Sequence, residues 1–222
     1  MGKPNKYEIS KLIKAINNIK TSDELIILGA SKSQDLEAID IAYQAGIKHF
    51  GENYLQEAEK KIEKANQNIV WHFIGSIQSN KVKRIASLFQ WVHSLENINI
   101  AKKLDKYRPP DLGLLNACVQ INVDKEDSKS GISIESAYEI IQKAQTLKNL
   151  KIRGIMAIPA QRNNLSDQRR AFSKIKNDFL RLQKEFPNLD TLSMGMSQDY
   201  EAALKEDATI IRLGTLIFGK RE

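Results

Sequence analysis

The sequence predicts an α/β protein: a single (β/α)8 TIM-type barrel of parallel strands with an extra N-terminal helix. Three observations carry this. Apolar runs of strand length recur along the chain, with helical periodicity in the intervals between them. Near the carboxyl end two strand-like runs, 189–192 and 208–211, are each followed at once by a small-residue turn, SMGMS (193–197) and RLGT (212–215). In this barrel class the loops after the last two strands often form a phosphate site, because backbone N–H groups and helix dipoles converge there. Finally, 222 residues at 41% hydrophobic content suffice for one sizeable core. Connections must then be short, since such barrels typically need roughly 250 residues.

In chain order, Ile9, Leu12, Ile13, Ile16 and Ile19 recur at helical spacing and mark the leading amphipathic helix. Residues 25–30 (LIILGA) are continuously apolar and suit a strand buried on both faces. Ser31-Lys32-Ser33 follows, then a helical stretch over 35–45 that Gly46 stops, and a second strand over 47–50. Asn53 is placed to cap the next helix, with Gln56 completing a capping box. Strands follow over 69–74 and 90–93, with helices over 78–87 and 97–106. Arg108-Pro109-Pro110 interrupts the alternation. A fifth strand covers 114–123, a polar turn 124–131, a helix 134–147 and a sixth strand 151–157. A long helix over 166–185 ends before Pro187, and a last helix over 198–205 is capped by Ser197. No Gly/Ser linker or shift in composition interrupts residues 1–222, which read as one domain.

Composition excludes several classes. The net charge is +7, but Lys60, Lys61 and Lys64, Lys102 and Lys103, and Arg169 and Arg170 alternate with acids on helix faces. With aromatics at 7%, this reads as solvated surface rather than a nucleic-acid stripe. No run approaches the ~18 uncharged apolar residues of a membrane span. The polar start lacks the apolar core of a signal peptide, and a cytoplasmic location is expected. The lone cysteine, Cys118, lies in an apolar run and reads as a small buried hydrophobe. His49, His72 and His93 all fall in strand-like runs without metal-ligand spacing and read as structural. No dinucleotide fingerprint, Walker loop or nucleophile elbow is present.

In a parallel barrel, reactive groups belong at the carboxyl ends of strands. Lys32 holds that place after the first strand, where partial desolvation favours the neutral amine that attacks an aldehyde. A lysine that merely solvates a strand end is the plainer alternative. Arg212 ends the eighth strand. Its guanidinium only donates and could hold a ring nitrogen as an unprotonated acceptor; an ordinary ion pair is the alternative. Gly214 and Thr215 offer backbone N–H groups and a hydroxyl to a phosphate, with Ser197 facing them. Asp199, close by, opposes an anion.

At these residues the sequence resembles the pyridoxal phosphate (PLP) homeostasis proteins, relatives of the alanine racemase barrel. The matching segments are LGASKS (28–33), FGENYLQEAEKK (50–61), WHFIGSIQSNKVK (71–83), DSKSG (127–131), RGIMAIP (153–159), LSMGMSQDYEAA (192–203) and IRLGTLIFG (211–219). Ser76 and Glu206-Asp207 depart from the family pattern. The resemblance implies PLP held as an imine on Lys32, with Arg212 at the pyridine nitrogen and Ser197, Gly214 and Thr215 on the phosphate. Asn53 would lie near the ring, and Met156 and Met196 would line the pocket. Lys81 and Lys129 are candidate secondary sites. The implied role is a cytoplasmic, monomeric PLP carrier or regulator without established turnover, with PLP-dependent apoenzymes as recipients. The alternatives are a PLP enzyme such as a weak racemase, and a sensor that reports cofactor status to a partner. An arginine at the ring nitrogen withholds the pyridinium proton, which makes the cofactor a poorer electron sink and disfavours the enzyme.

Overall fold

The computed structural model describes residues 4–20, 24–124 and 130–219. Eight strands close into a barrel in chain order: β1 (Ile26–Ala30), β2 (His49–Glu52), β3 (Val70–Phe73), β4 (Trp91–Leu95), β5 (Leu115–Ile121), β6 (Leu150–Ala157), β7 (Thr191–Met196) and β8 (Ile210–Leu213). Every pairing is parallel, and β8 returns to β1 with Ile26 opposite Ile210 and Leu28 opposite Arg212. The extra helix, α1 (Lys6–Ile19), precedes the barrel. The others are α2 (Leu36–Gln44), α3 (Leu55–Ile62), α4 (Val82–Leu88), α5 (Ile98–Tyr107), α6 (Ile134–Ala144), α7 (Leu165–Glu185), α8 (Tyr200–Lys205) and a short α9 (Thr215–Phe218). The Pro109-Pro110 break is a 3-10 turn over Pro110–Leu112.

The strands sort their side chains with a period of two. On β5, Ala117, Val119 and Ile121 join the main core under the helices, whereas Cys118 belongs to a separate cluster with Leu28, Trp91, Met156 and Ile210. That second cluster fills the barrel interior. By the same alternation Ser193 lies between Leu192 and Met194 on β7, and Arg212 lies between Ile211 and Leu213 on β8. Both therefore point inward. Where β6 meets β7 the backbones touch closely: a Cβ on Gly154 would lie 1.7 Å from the carbonyl oxygen of Thr191.

Several boundaries differ from the sequence expectation. β7 begins at Thr191 and runs to Met196, so most of SMGMS is strand rather than turn. Its alternating small residues fit a barrel wall, and Gly195 takes the positive φ of 91° there. Asn53 caps no helix. α3 starts at Leu55 with Tyr54 at its N-cap and no side-chain bond, which puts Gln56 a position too early for a capping box. Ser197 does not cap α8 either, because that helix starts at Tyr200 and Asp199 takes the N-cap position. The polar turn at 124–131 lies largely outside the described residues.

The barrel interior carries a line of imidazoles. His49 Nδ1 meets His72 Nε2 at 2.8 Å, and His72 Nδ1 meets His93 Nε2 at 2.8 Å. His93 Nδ1 meets Ser193 Oγ at 2.9 Å. His72 also stacks on Trp91, with centroids 5.4 Å apart and planes 8° from parallel. Burial disfavours the charged form of all three: His93 is pushed down to about 3, His72 well below the ordinary value, and His49 below it too. Unfolding frees these rings to protonate near pH 6.5. Their folded values are depressed, so stability is greatest above about pH 6.5 and falls as pH drops from there toward the folded values. Each ring held neutral should contribute about 1 kcal/mol per pH unit of that fall. Urea midpoints between pH 7.5 and 5 should decline accordingly, and a flat profile would mean that the rings protonate in place.

Candidate functional site

A cavity of about 380 Å³ opens at the carboxyl ends of the strands. Lys32, Asn53, Met156, Met196, Ser197, Arg212, Gly214 and Thr215, the residues singled out in the sequence, all line it. They arrive from β1, β2, β6, β7 and β8 or the turns that follow them. Met156 lies in the buried interior, while Met196 at the rim is 38% exposed.

Lys32 sits in the turn after β1, partly buried. The turn is held from outside the cavity. Lys61 on α3 donates to the Ser31 carbonyl at 2.7 Å, to Glu52 Oε1 at 2.8 Å and to Glu57 Oε1 at 2.6 Å. Ser31 Oγ donates to Glu52 Oε1 at 2.6 Å, and the Ser33 N–H donates to Glu57 Oε1 at 2.6 Å. Ser33 takes a φ of 62°, a left-handed conformation that disfavours non-glycine residues and needs such tethers to persist. Glu52 is 0% exposed, and its Oε2 has no partner among the described residues. Burial raises its carboxyl above the usual range, while Lys61 and Ser31 pull it back down. Asn53 follows Glu52, with its backbone against Gly75: a Cβ on Gly75 would lie 2.1 Å from the Asn53 carbonyl oxygen.

Arg212 lies at the floor, 5% exposed. Its NH1 donates to Ser193 Oγ at 2.7 Å and its NH2 to the Ala157 carbonyl at 3.0 Å. Among the described residues no carboxylate lies within ion-pair distance of it. Burial pushes it down to about 10, with Asp199 the main opposing influence, so it remains a cation at neutral pH.

Ser197 Oγ reaches across to β8 and accepts the N–H groups of Gly214 at 3.1 Å and Leu216 at 3.4 Å. The hydroxyl and the start of α9 thus meet, as the sequence suggested, but directly against each other. Asp199 turns away from that corner: its Oδ1 accepts the Met196 N–H at 2.6 Å. The loop after β6 is tied down by Arg162, whose NH2 pairs with Asp124 Oδ1 at 2.7 Å. Lys81 stands at the N-cap position of α4 and does not line the cavity; Lys129 lies outside the described residues.

Sequence reasoning missed Ser193, Arg162 and the Ser31–Glu52–Lys61 tether. One sign of the tether was legible: Glu57 and Lys61 are spaced i,i+4, and an acid closes the strand run HFGE.

A parallel barrel with a lysine after its first strand and a buried arginine on its last matches the alanine racemase N-terminal domain family, over residues 17–222. The chain belongs to that family and, within it, to the pyridoxal phosphate homeostasis proteins. The protein of that name from Pseudomonas aeruginosa is 46% identical over 197 residues, covering 88% of this chain and 84% of the relative. That from Haemophilus influenzae is 44% identical over 200 residues, with 88% and 84% covered. PipY of Synechococcus elongatus, solved with PLP bound, superposes with a TM-score of 0.85 at 29% identity, over 95% of this chain and 100% of its own. An alanine racemase from Clostridium difficile shares the fold at a TM-score of 0.75 and 13% identity, over 99% of this chain and 58% of its own.

Removing Lys61 would leave Glu52 buried with Ser31 as its only described donor and would take one of the tethers from the Lys32 turn. Lys61→Met should therefore cost about 3 kcal/mol in urea denaturation. A loss below about 1 kcal/mol would mean that the tether contributes little.

Proposed function

We propose that this chain binds PLP in intracellular cofactor homeostasis, holding it as an imine on Lys32 without catalytic turnover. The observation that carries this is the buried Arg212. A guanidinium inside a barrel whose described hydrogen-bond partners are all neutral is costly unless a ligand completes its surroundings. It can do one thing for a heterocycle that rests on it, which is to donate a hydrogen bond to an unprotonated ring nitrogen. The donor set suits PLP from end to end: a lysine amine at the rim, a guanidinium at the floor, and, where an anion would sit, the Ser197 hydroxyl, turned outward by the Gly214 N–H it accepts, beside Thr215. When bound, the cofactor supplies an aldehyde for reversible capture and an electron-withdrawing ring.

The remaining residues divide the work. The Lys61–Glu52–Ser31 tether presents Lys32 to the cavity. Asn53, Met156 and Met196 shape the walls beside the ring. Asp199, engaged by the Met196 amide and within electrostatic reach of Arg212, limits excess positive charge at the mouth. Racemisation needs two proton-moving groups on opposite faces of the substrate carbon. Among the described lining residues there is no histidine, cysteine or tyrosine, and the one carboxylate, Asp199, already accepts the Met196 N–H. This supports a carrier over the racemase alternative. Release to PLP-dependent apoenzymes in the cytoplasm, by a monomer, completes the reading. No helix among the described residues is long and apolar enough to cross a membrane.

Borohydride reduction of PLP-loaded protein should fix one cofactor on Lys32, located by mass spectrometry, and Lys32→Ala should abolish the adduct. Attachment elsewhere, or none, rejects the reading. Ser197→Ala and Thr215→Ala should each weaken retention by about 1 kcal/mol, roughly five-fold. Unchanged affinity in the double variant would dispose of the phosphate corner. Single-enantiomer amino acids incubated in deuterated water should gain no deuterium at the α-carbon beyond one turnover; many turnovers would replace the carrier with an enzyme.

A further inference from the structure

The imidazole line has a direction, and Arg212 sets it. Each contact between two ring nitrogens holds one hydrogen and one lone pair, because a neutral imidazole carries a single N–H. Ser193 Oγ accepts from Arg212 NH1, and a guanidinium can only donate. The one other described partner of that oxygen is His93 Nδ1. If His93 Nδ1 carried a hydrogen, two donors would converge on the serine oxygen and the hydroxyl hydrogen would be buried without an acceptor. Ser193 is fully buried, and such a loss costs about 1–3 kcal/mol.

The hydroxyl therefore donates to His93 Nδ1, and the hydrogen of His93 sits on Nε2. Nε2 faces His72 Nδ1, so His72 is also the Nε2–H form. Its Nε2 faces His49 Nδ1, which makes His49 the same. The order runs from Arg212 through Ser193, His93 and His72 to His49, the first residue of β2, at the end of the barrel opposite the cavity.

We propose that Ser193, His93 and His72 are positioning residues for Arg212, a one-way chain of donors that keeps the serine lone pair turned toward the guanidinium. With NH1 held by Ser193 and NH2 by the Ala157 carbonyl, the orientation of the plane is fixed from behind. The effect on PLP rests on the function proposed above; the direction of the chain does not.

The sequence contains three histidines, all in this line, so selective labelling with ¹⁵N-histidine reports on the chain alone. In cofactor-free protein at pH 7.5 all three rings should be neutral with hydrogen on Nε2. Hydrogen on Nδ1 of any ring overturns the proposal. Ser193→Ala removes the anchor, so the tautomers should become mixed, first at His93. PLP affinity should drop about ten-fold, and the absorption of bound cofactor should shift. His93→Leu should act likewise, whereas His93→Gln, which keeps an acceptor and a donor on one side chain, should retain the wild-type spectrum. Unchanged tautomers and spectrum in Ser193→Ala also overturn the proposal. Should the wild-type chain take up no PLP, the proposed function fails, and the ring signals alone decide this point.

Discussion

A single positive charge inside the barrel governs much of this molecule. Arg212 is buried on the last strand, and its described neighbours answer it with oxygen lone pairs rather than with a contacting carboxylate. Low polarity makes each of those bonds count and makes any misdirected donor expensive. The polar interior follows from this. Ser193 must accept, the imidazoles behind it must stay neutral, and the apolar cluster of Leu28, Trp91, Cys118, Met156 and Ile210 keeps water away. Even Cys118 conforms, since burial pushes its thiol up to about 12 and leaves it an inert filler.

The lysine is managed in the opposite way. Arg212 is fixed from within, whereas the turn bearing Lys32 is fixed from outside, by an ammonium and two carboxylates that never enter the cavity. α3 thus acts as a strut for β1. Support and chemistry are carried by different residues, and the strained φ at Ser33 is the local mark of that arrangement.

The sequence revealed the alternation of elements because burial on both faces of parallel strands writes continuous apolar runs, and these survive errors of a few residues at their ends. It also brought together the cavity residues, since strand-end position is a property of order along the chain. Capping rules were less dependable. Asn5, Asp35, Asn97, Ser133 and Asn164 cap their helices through side chains. α3, α4, α8 and α9 begin without such a bond, although α2 and α7, which also follow strands bordering the cavity, keep theirs. At α3 and α8 the candidate caps Asn53 and Ser197 line the cavity wall instead of the helix start, and at those two positions local propensity gives way to the site. The histidine line was illegible for a different reason: its rings align only through the register of three successive strands, β2, β3 and β4, and only closure of the barrel brings His93 to Ser193 on β7.

That closure has a further consequence. β1 and β8 are the first and last strands, yet they lie edge to edge, and they bring Lys32 and Arg212 to the same cavity. The pocket straddles the seam of the barrel. A nascent chain on the ribosome has no half-built version of it, because the amine emerges first and waits for the final strand. Anything that grips both residues also clasps the seam shut, so occupancy and integrity of the wall are one equilibrium viewed from two sides.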